Sequence, residues 1–401
     1  MKILLVNKYW YMRGGAERIV LESKNMLESA GHKVAVFGMH HPENIIENKY
    51  FIPYIDYKNL GVIGKIRAGL KSIYNKEAKK QFEQLVDDFK PDLIHFHNIY
   101  HQLSFSLFDV VRKKNIKSVM TLHDYKMISP NYTLFHHGHI DDTSIGKKYY
   151  RCLFSNCMES WGRSFFSTIE AYLRHFKKWK DVIDVYIAPS QFMKDMCVEA
   201  GLSEKKIHVL QNPITIKKEN IKQKEGNYVA YVGRLSKEKG VDILLKAAKE
   251  TPDIPYKIIG DGPERKSLES YVKKCYIKNV HFYGWQTGSA LDTFIAQARM
   301  IVIPSVWYEP FGLVVLEAQI KGKTVIGSDI GGIKELINKE LLVEAGNSKA
   351  LEKKIRIWYN NPSEKRQIMQ KQIYKKIKEK YNIEKHRHAL VSVYEKLCIK
   401  K

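Results

Sequence analysis

The stretch Ser305-Val306-Trp307-Tyr308-Glu309-Pro310-Phe311-Gly312-Leu313-Val314-Val315-Leu316-Glu317-Ala318 decides the fold. Before it, Met300-Ile301-Val302-Ile303-Pro304 is an apolar, β-rich run, the pattern of a strand buried on both faces of a parallel sheet. Pro310 and Gly312 punctuate a turn, and Leu313 to Lys321 then carries good helix formers. Glu309 is therefore expected in the loop at a strand's carboxyl end, and Glu317 on the first turns of the next helix. Open α/β sheets bind ligands there. The amides of Gly312, Leu313 and Val314 would lie near the helix start, where unpaired N–H groups attract anions. Two glutamates eight apart are ordinarily a solvated pair; the loop, the Pro-Phe-Gly turn and the apolar helix favour a site instead.

Upstream, Tyr228-Val229-Ala230-Tyr231-Val232 starts a series of strands and helices. It runs into Gly233-Arg234-Leu235-Ser236-Lys237-Glu238-Lys239-Gly240, where Arg234 and Lys239 leave the strand end together. An arginine fork and a lysine point charge suit a diphosphate. Further strand ends follow at Gly260-Asp261-Gly262 and at Gly284-Trp285, with another strand from Thr324 to Gly327 and a Lys-rich helical tail from Ser348. The first half repeats the plan. Lys2 to Asn7 is a strand, Gly14-Gly15 closes its loop, Ala16 to Ala30 is a helix capped by Gly31, and Val34 to Phe37 is a strand. The glycine pair is not a dinucleotide fingerprint, and no NAD role follows. Strands ending at His97-Asn98 and at His123-Asp124 place a polar cluster at each carboxyl end. The polar run 217–227 breaks both periodicities and reads as a connector.

The 401 residues suit two domains, and 44% apolar content suffices for two cores. No apolar run is long enough to span a bilayer, and the N-terminus reads as a strand rather than a signal peptide, so a cytoplasmic location is expected. The five cysteines are expected as reduced thiols; Cys152 and Cys157, near His136, His137 and His139, are a weak zinc signal. The net charge of +24 is compatible with nucleic acid, an anionic membrane face or an anionic substrate. Residues 60–80 combine Lys65, Arg67 and Lys71 with Ile63, Ile66, Leu70 and Ile73 at helical spacing: either a membrane-surface helix or a core-facing helix with a solvated basic face. The aromatic, basic segment 161–180 is expected to pack on the sheet, with lipid headgroups the alternative. Residues 130–160 read as a long irregular loop, functional or mobile.

The order of these motifs resembles the family 4-type retaining glycosyltransferases: Gly14-Gly15, Thr121-Leu122-His123-Asp124, Ala188-Pro189-Ser190, Gly233-Arg234-Leu235 with Lys239-Gly240, Gly260-Asp261-Gly262-Pro263-Glu264, Phe282-Tyr283-Gly284 and the E-x7-E pair. The resemblance spans essentially the whole chain. It implies the GT-B fold, two Rossmann-like α/β domains facing a central cleft. These would be residues 1–212 for the acceptor, a connector at 213–227, 228–380 for the nucleotide sugar, and a helix at 381–401 crossing back onto the first domain. It implies that Arg234 and Lys239, with the amides of Gly15, Gly312, Leu313 and Val314, hold the donor diphosphate. Glu317 would take the ribose, and Gly284, Trp285, Gly260 and Gly262 would line ribose and base. Glu309 would grip the transferred sugar, and His123 would approach it from the other domain. Gly14, His97, Asn98 and Asp124 are the acceptor-side candidates.

The implied reaction moves a sugar from a UDP- or GDP-linked donor to a saccharide acceptor with retention, without a metal or cofactor. Either front-face attack or a double displacement through Glu309 would serve. A lipid-linked acceptor would place the protein on the inner face of the plasma membrane, in cell-surface polysaccharide or glycolipid synthesis. A sugar-nucleotide epimerase of the same fold and a basic nucleic-acid-binding protein are the rival readings.

Overall fold

The computed structural model describes residues 1–57, 59–215 and 225–399; the connector expected at 213–227 falls mostly outside them. The chain forms two compact units. One comprises Met1–His137, Asp141–Gln211 and the residues from Glu384 on; the other comprises Gly138–Ile140 and Asn212–Ile383.

The first unit is built on six parallel strands, β1 (Lys2–Val6), β2 (Lys33–Phe37), β3 (Leu93–Phe96), β4 (Lys117–Thr121), β5 (Val185–Ala188) and β6 (Ile207–Val209), in the order 2-1-3-4-5-6. Leu4, Leu5, Val6, Leu93, Ile94 and Phe96 are fully buried, as strands covered on both faces require. Helix α1 (Gly15–Ser29) follows β1, α2 (Val62–Ile73) lies between β2 and β3, and α3 (Trp161–Phe176) precedes β5. The second unit has β7 (Val229–Val232), β8 (Tyr256–Ile259), β9 (Val280–Gly284), β10 (Met300–Ile303), β11 (Thr324–Ser328) and β12 (Leu342–Val343), all parallel, in the doubly wound order 9-8-7-10-11-12. Helix α4 (Leu313–Gln319) follows β10, two residues shorter than the sequence pattern suggests. Helix α5 (Ile383–Ile399) belongs to the first unit from Glu384 on: Leu390 and Tyr394 are buried in that unit's core, and His386 Nδ1 lies 2.9 Å from the Gln211 carbonyl oxygen.

In each sheet the strand order reverses at one point, between β1 and β3 in the first and between β7 and β10 in the second. At the second reversal β10 registers with β7 only at Met300–Val229 and Ile301–Ala230, whereas β8 stays paired with β7 to its last residue. The carboxyl halves of β7 and β10 therefore splay at the switch point, the position where open α/β sheets bind ligands.

Two expectations are corrected here and a third is refined. Cys152 and Cys157 are joined as a disulfide rather than free. The short helix Tyr150–Phe154 turns back on itself, Cys157 N–H donating to the Cys152 carbonyl at 2.9 Å, and the Cα atoms come within 4.8 Å, inside disulfide reach. Residues 130–160 are no loose loop. Asn131, Leu134, His136 and Ser144 are buried; Asn131 Nδ2 donates to the Cys157 carbonyl at 2.8 Å, and His136 pairs with Asp141 at 2.7 Å. Helix α3 does pack on its unit, but through its polar face, the reverse of the usual apolar-in arrangement and a point the sequence left open. Ser164, Ser167, Thr168, Glu170, Ala171 and Arg174 are inside, while Trp161, Phe165, Ile169 and Phe176 are exposed. The inversion has a cause: Glu170 lies 2.8 Å from Lys126 Nζ and 3.5 Å from Arg174, and these three nearly dry charges stay buried only together.

Candidate functional site

In the second unit, the loops leaving β7 and β10 are locked edge to edge. Gly240 has φ 63°, and a Cβ there would overlap the Pro304 carbonyl oxygen. Val306 N–H donates to the Glu238 carbonyl at 2.9 Å. This brings together two residues seventy apart: Lys239 Nζ lies 2.6 and 2.9 Å from the two Glu309 carboxylate oxygens. The pair is sheltered, its side chains 23% and 13% exposed. Trp307 completes it, its indole N–H donating to Glu309 Oε2 and its ring lying 5.1 Å below the ammonium. The Glu309 carbonyl accepts from Gly332 N–H at 2.7 Å, with Gly331 (φ 58°) packed so closely beneath that no side chain fits. Phe311 is buried, Gly312 takes φ 107°, and the chain enters α4, where Glu317 is half-buried.

Neighbouring strand ends carry a tier of glycines. Gly233 N–H donates to Ile259 O at 3.0 Å, and Gly260 N–H donates to Gly284 O at 2.8 Å. A Cβ on Gly260 (φ 146°) would overlap the Gly233 carbonyl, and one on Gly262 would meet Leu235 backbone. Bare backbone thus forms the floor. Arg234 stands exposed at its edge with no ion pair among the described residues, while Lys239 has its charge balanced by Glu309. Trp285, 57% exposed, leaves β9, separated from Arg234's strand by β8.

The first unit is built the opposite way, from buried polar rings. His95 is bonded at both nitrogens, to Tyr394 OH at 2.6 Å and Thr121 Oγ1 at 2.8 Å, and its ring lies 4.2 Å from that of His97, tilted by 34°. His97 Nδ1 meets His123 Nε2 at 2.8 Å. Burial pushes His95 down to about 3 and His123 down to about 4, and holds His97 well below its ordinary value, so all three are neutral. The buried Nε2 of His97 has no partner. An orphaned N–H costs more than an orphaned lone pair, so the proton of His97 belongs on Nδ1. His97 then donates, His123 accepts at Nε2, and His123 carries its own proton on Nδ1, where it is a neutral donor.

Asp124, beside it, is pushed up to about 7 by burial, opposed by the Lys126 N–H at 3.0 Å and the Lys8 and Lys126 charges. Asn98 is held by Asn7 and Tyr100. Gly14 caps α1 in extended backbone, so Gly15 opens the helix. Trp307, Asn7 and Tyr394 escaped the sequence reading. Trp307 lies two residues before Glu309, a spacing that signals nothing until the turn is formed; Tyr394 reaches His95 from 299 residues away.

Residues 13–218 match the family model "Glycosyltransferase Family 4", and residues 213–376 match "Glycosyl transferases group 1". The chain belongs to these glycosyltransferases. The enzyme is 30% identical over 352 residues, 84% of its own length and 87% of the other's, to an uncharacterized 42.6 kDa protein in the cps region of Klebsiella pneumoniae. It is 33% identical over 139 residues to the lipopolysaccharide core biosynthesis glycosyltransferase LpsD of Rhizobium meliloti, covering 34% of this chain and 40% of LpsD. Its fold is that of sucrose-phosphate synthase from Thermosynechococcus elongatus (TM-score 0.73, 20% identity, 100% of both chains). It is also that of Anabaena HepE solved with UDP-glucose (TM-score 0.67, 17% identity, 99% of this chain and 100% of HepE). The GT-B fold and glycosyltransferase activity follow. The epimerase and nucleic-acid readings do not.

Proposed function

We propose that this glycosyltransferase moves a sugar, with retention, from a UDP- or GDP-linked donor to a lipid-linked saccharide on the inner face of the plasma membrane, in cell-surface polysaccharide synthesis. The observation that carries the reading is the Lys239–Glu309 pair at the splayed strand ends, with Arg234 exposed on the same loop. A departing nucleoside diphosphate develops negative charge, and preorganised cations stabilise it without reorganisation. Arg234 contributes the uncommitted charge. Lys239 shifts toward the phosphate as Glu309 turns its oxygens to the sugar hydroxyls, so the charge is supplied by side chains and a metal is not required. The glycine floor lets the diphosphate approach main chain, with Glu317 on the ribose and Gly284 and Trp285 near the base. The bond from the anomeric carbon to the diphosphate oxygen breaks, the acceptor oxygen bonds to that carbon, and its proton passes to the departing phosphate. Relatives support the donor and pathway classes: one is named a GDP-mannose-dependent alpha-mannosyltransferase and another a lipopolysaccharide core enzyme.

A thermal-shift panel of UDP, GDP and their sugars, with and without a chelator, tests the reading. One nucleotide should raise Tm equally in both conditions by linkage. No shift with any of them, or a shift the chelator removes, would overturn it.

A further inference from the structure

Two segments about a hundred residues apart in sequence form one surface of the first unit. Helices α2 and α3 lie side by side, close enough that a Cβ on Gly69 would strike the Phe166 ring. Each has its apolar face turned outward. Helix α2 buries Ala68, Gly69 and Ile73 and exposes Val62 (77%), Ile63 (70%), Ile66 (49%) and Leu70 (56%). Helix α3 buries its hydroxyls and its ion cluster and exposes Trp161, Phe165, Ile169 and Phe176. Exposed apolar side chains scattered singly need no explanation; two adjacent stripes do.

The charge exposed on the two helices themselves is positive, although Glu77, just past α2, lies 3.0 Å from Lys71 Nζ and Glu159 is exposed just before α3. Lys65, Arg67, Lys71, Arg163 and Lys178 are exposed, α2 contains no acid, and the single acid of α3, Glu170, is buried. Among the described residues no helix is long and apolar enough to cross a membrane, so any contact of these stripes with a bilayer is with its surface. Apolar residues flanked by cations, with no exposed acid on either helix, complement the boundary between acyl chains and anionic headgroups.

We infer that the paired outward faces of α2 and α3 dock the enzyme on an anionic bilayer, Ile63, Ile66, Leu70, Trp161 and Phe165 entering the headgroup layer while Lys65, Arg67 and Arg163 meet lipid phosphates. This deepens, and rests on, the reading of a lipid-linked acceptor; the binding itself is measurable without acceptor or donor. The 401-residue protein is sedimented with vesicles of equal parts phosphatidylglycerol and phosphatidylcholine, and with phosphatidylcholine alone. It should pellet with the former and far less with the latter. Ile66→Ser with Phe165→Ser should weaken binding on the order of tenfold or more. Arg67→Glu with Arg163→Glu should weaken it about tenfold at low salt, the gap closing as salt screens it. An unchanged Tm for each variant shows that it is folded. Wild-type protein that stays in the supernatant, or variants that bind as well as wild type, would overturn the inference. So would a wild-type dimer that the apolar variant converts to monomer without vesicle binding, which makes the face a subunit contact. Tight vesicle binding with transfer only to water-soluble saccharides would sink the acceptor reading and leave the docking surface standing.

Discussion

The two sheets present their carboxyl ends in contrasting ways. The second brings backbone to the surface by deleting side chains: Gly233, Gly260 and Gly262 fit only because nothing projects from them, and one sheltered ion pair sits above. The first fills the equivalent level with neutral histidines and hydroxyls bonded to one another. A floor without side chains lets a fixed ligand part such as a diphosphate come close to main chain, with Arg234 and Lys239 rather than the already bonded Gly233 and Gly260 amides carrying the charge. A floor of rings and hydroxyls suits neutral hydroxyl groups, which are distinguished by the direction of a hydrogen bond.

The contrast breaks most violently at Gly260. Gly260→Ala drives a Cβ into the Gly233 carbonyl at a φ that side chains avoid, and should cost more than about 4 kcal/mol or prevent folding. A denaturant midpoint near wild type would show the tier to be pliable. In the first unit the comparable blow is Glu170→Gln, which strands Lys126 and Arg174 as buried cations and should cost roughly 3–5 kcal/mol, read by the same titration. Arg234→Ala touches no core. It should leave Tm in buffer unchanged, abolish the nucleotide-induced shift and lower kcat/KM by about 10²–10³-fold.

The mildest test is pH. His95, His123 and His386 have folded values of about 3, 4 and 4, below the unfolded value of about 6.5. Their contribution is fully present above about pH 6.5 and is lost as pH falls toward the folded values, because the unfolded chain binds the extra protons. Asp124 runs the other way, since its raised value favours the folded state as pH drops toward the ordinary carboxylate range. With His97 and His101 likewise held well below their ordinary value by burial, five histidines stand against one aspartate, and Tm should drop on the order of 5 °C or more from pH 7 to pH 5. His95→Gln should flatten the profile.

Much of this was legible in the sequence because strand ends announce themselves. The apolar run into Pro304, the glycines after Val232 and Ile259, and His97 and His123 closing two strands place their residues through short-range chemistry alone. What stayed hidden needs knowledge of which side of an element is covered. Helical spacing in 62–73 and 161–176 defines a face but not its direction, and in α3 the buried Glu170–Lys126–Arg174 cluster reverses the usual one. The Cys152–Cys157 bond depends on a tight turn that composition does not announce. The Lys239–Glu309 contact depends on strand order, which brings β7 beside β10 although two strands intervene in sequence.

The bond from His95 to Tyr394 also sets a schedule for synthesis. The second unit is almost wholly contiguous in sequence, whereas the first keeps an open flank until α5 arrives. The half translated earliest thus waits for residues made after the whole of the second unit before its own interior can close.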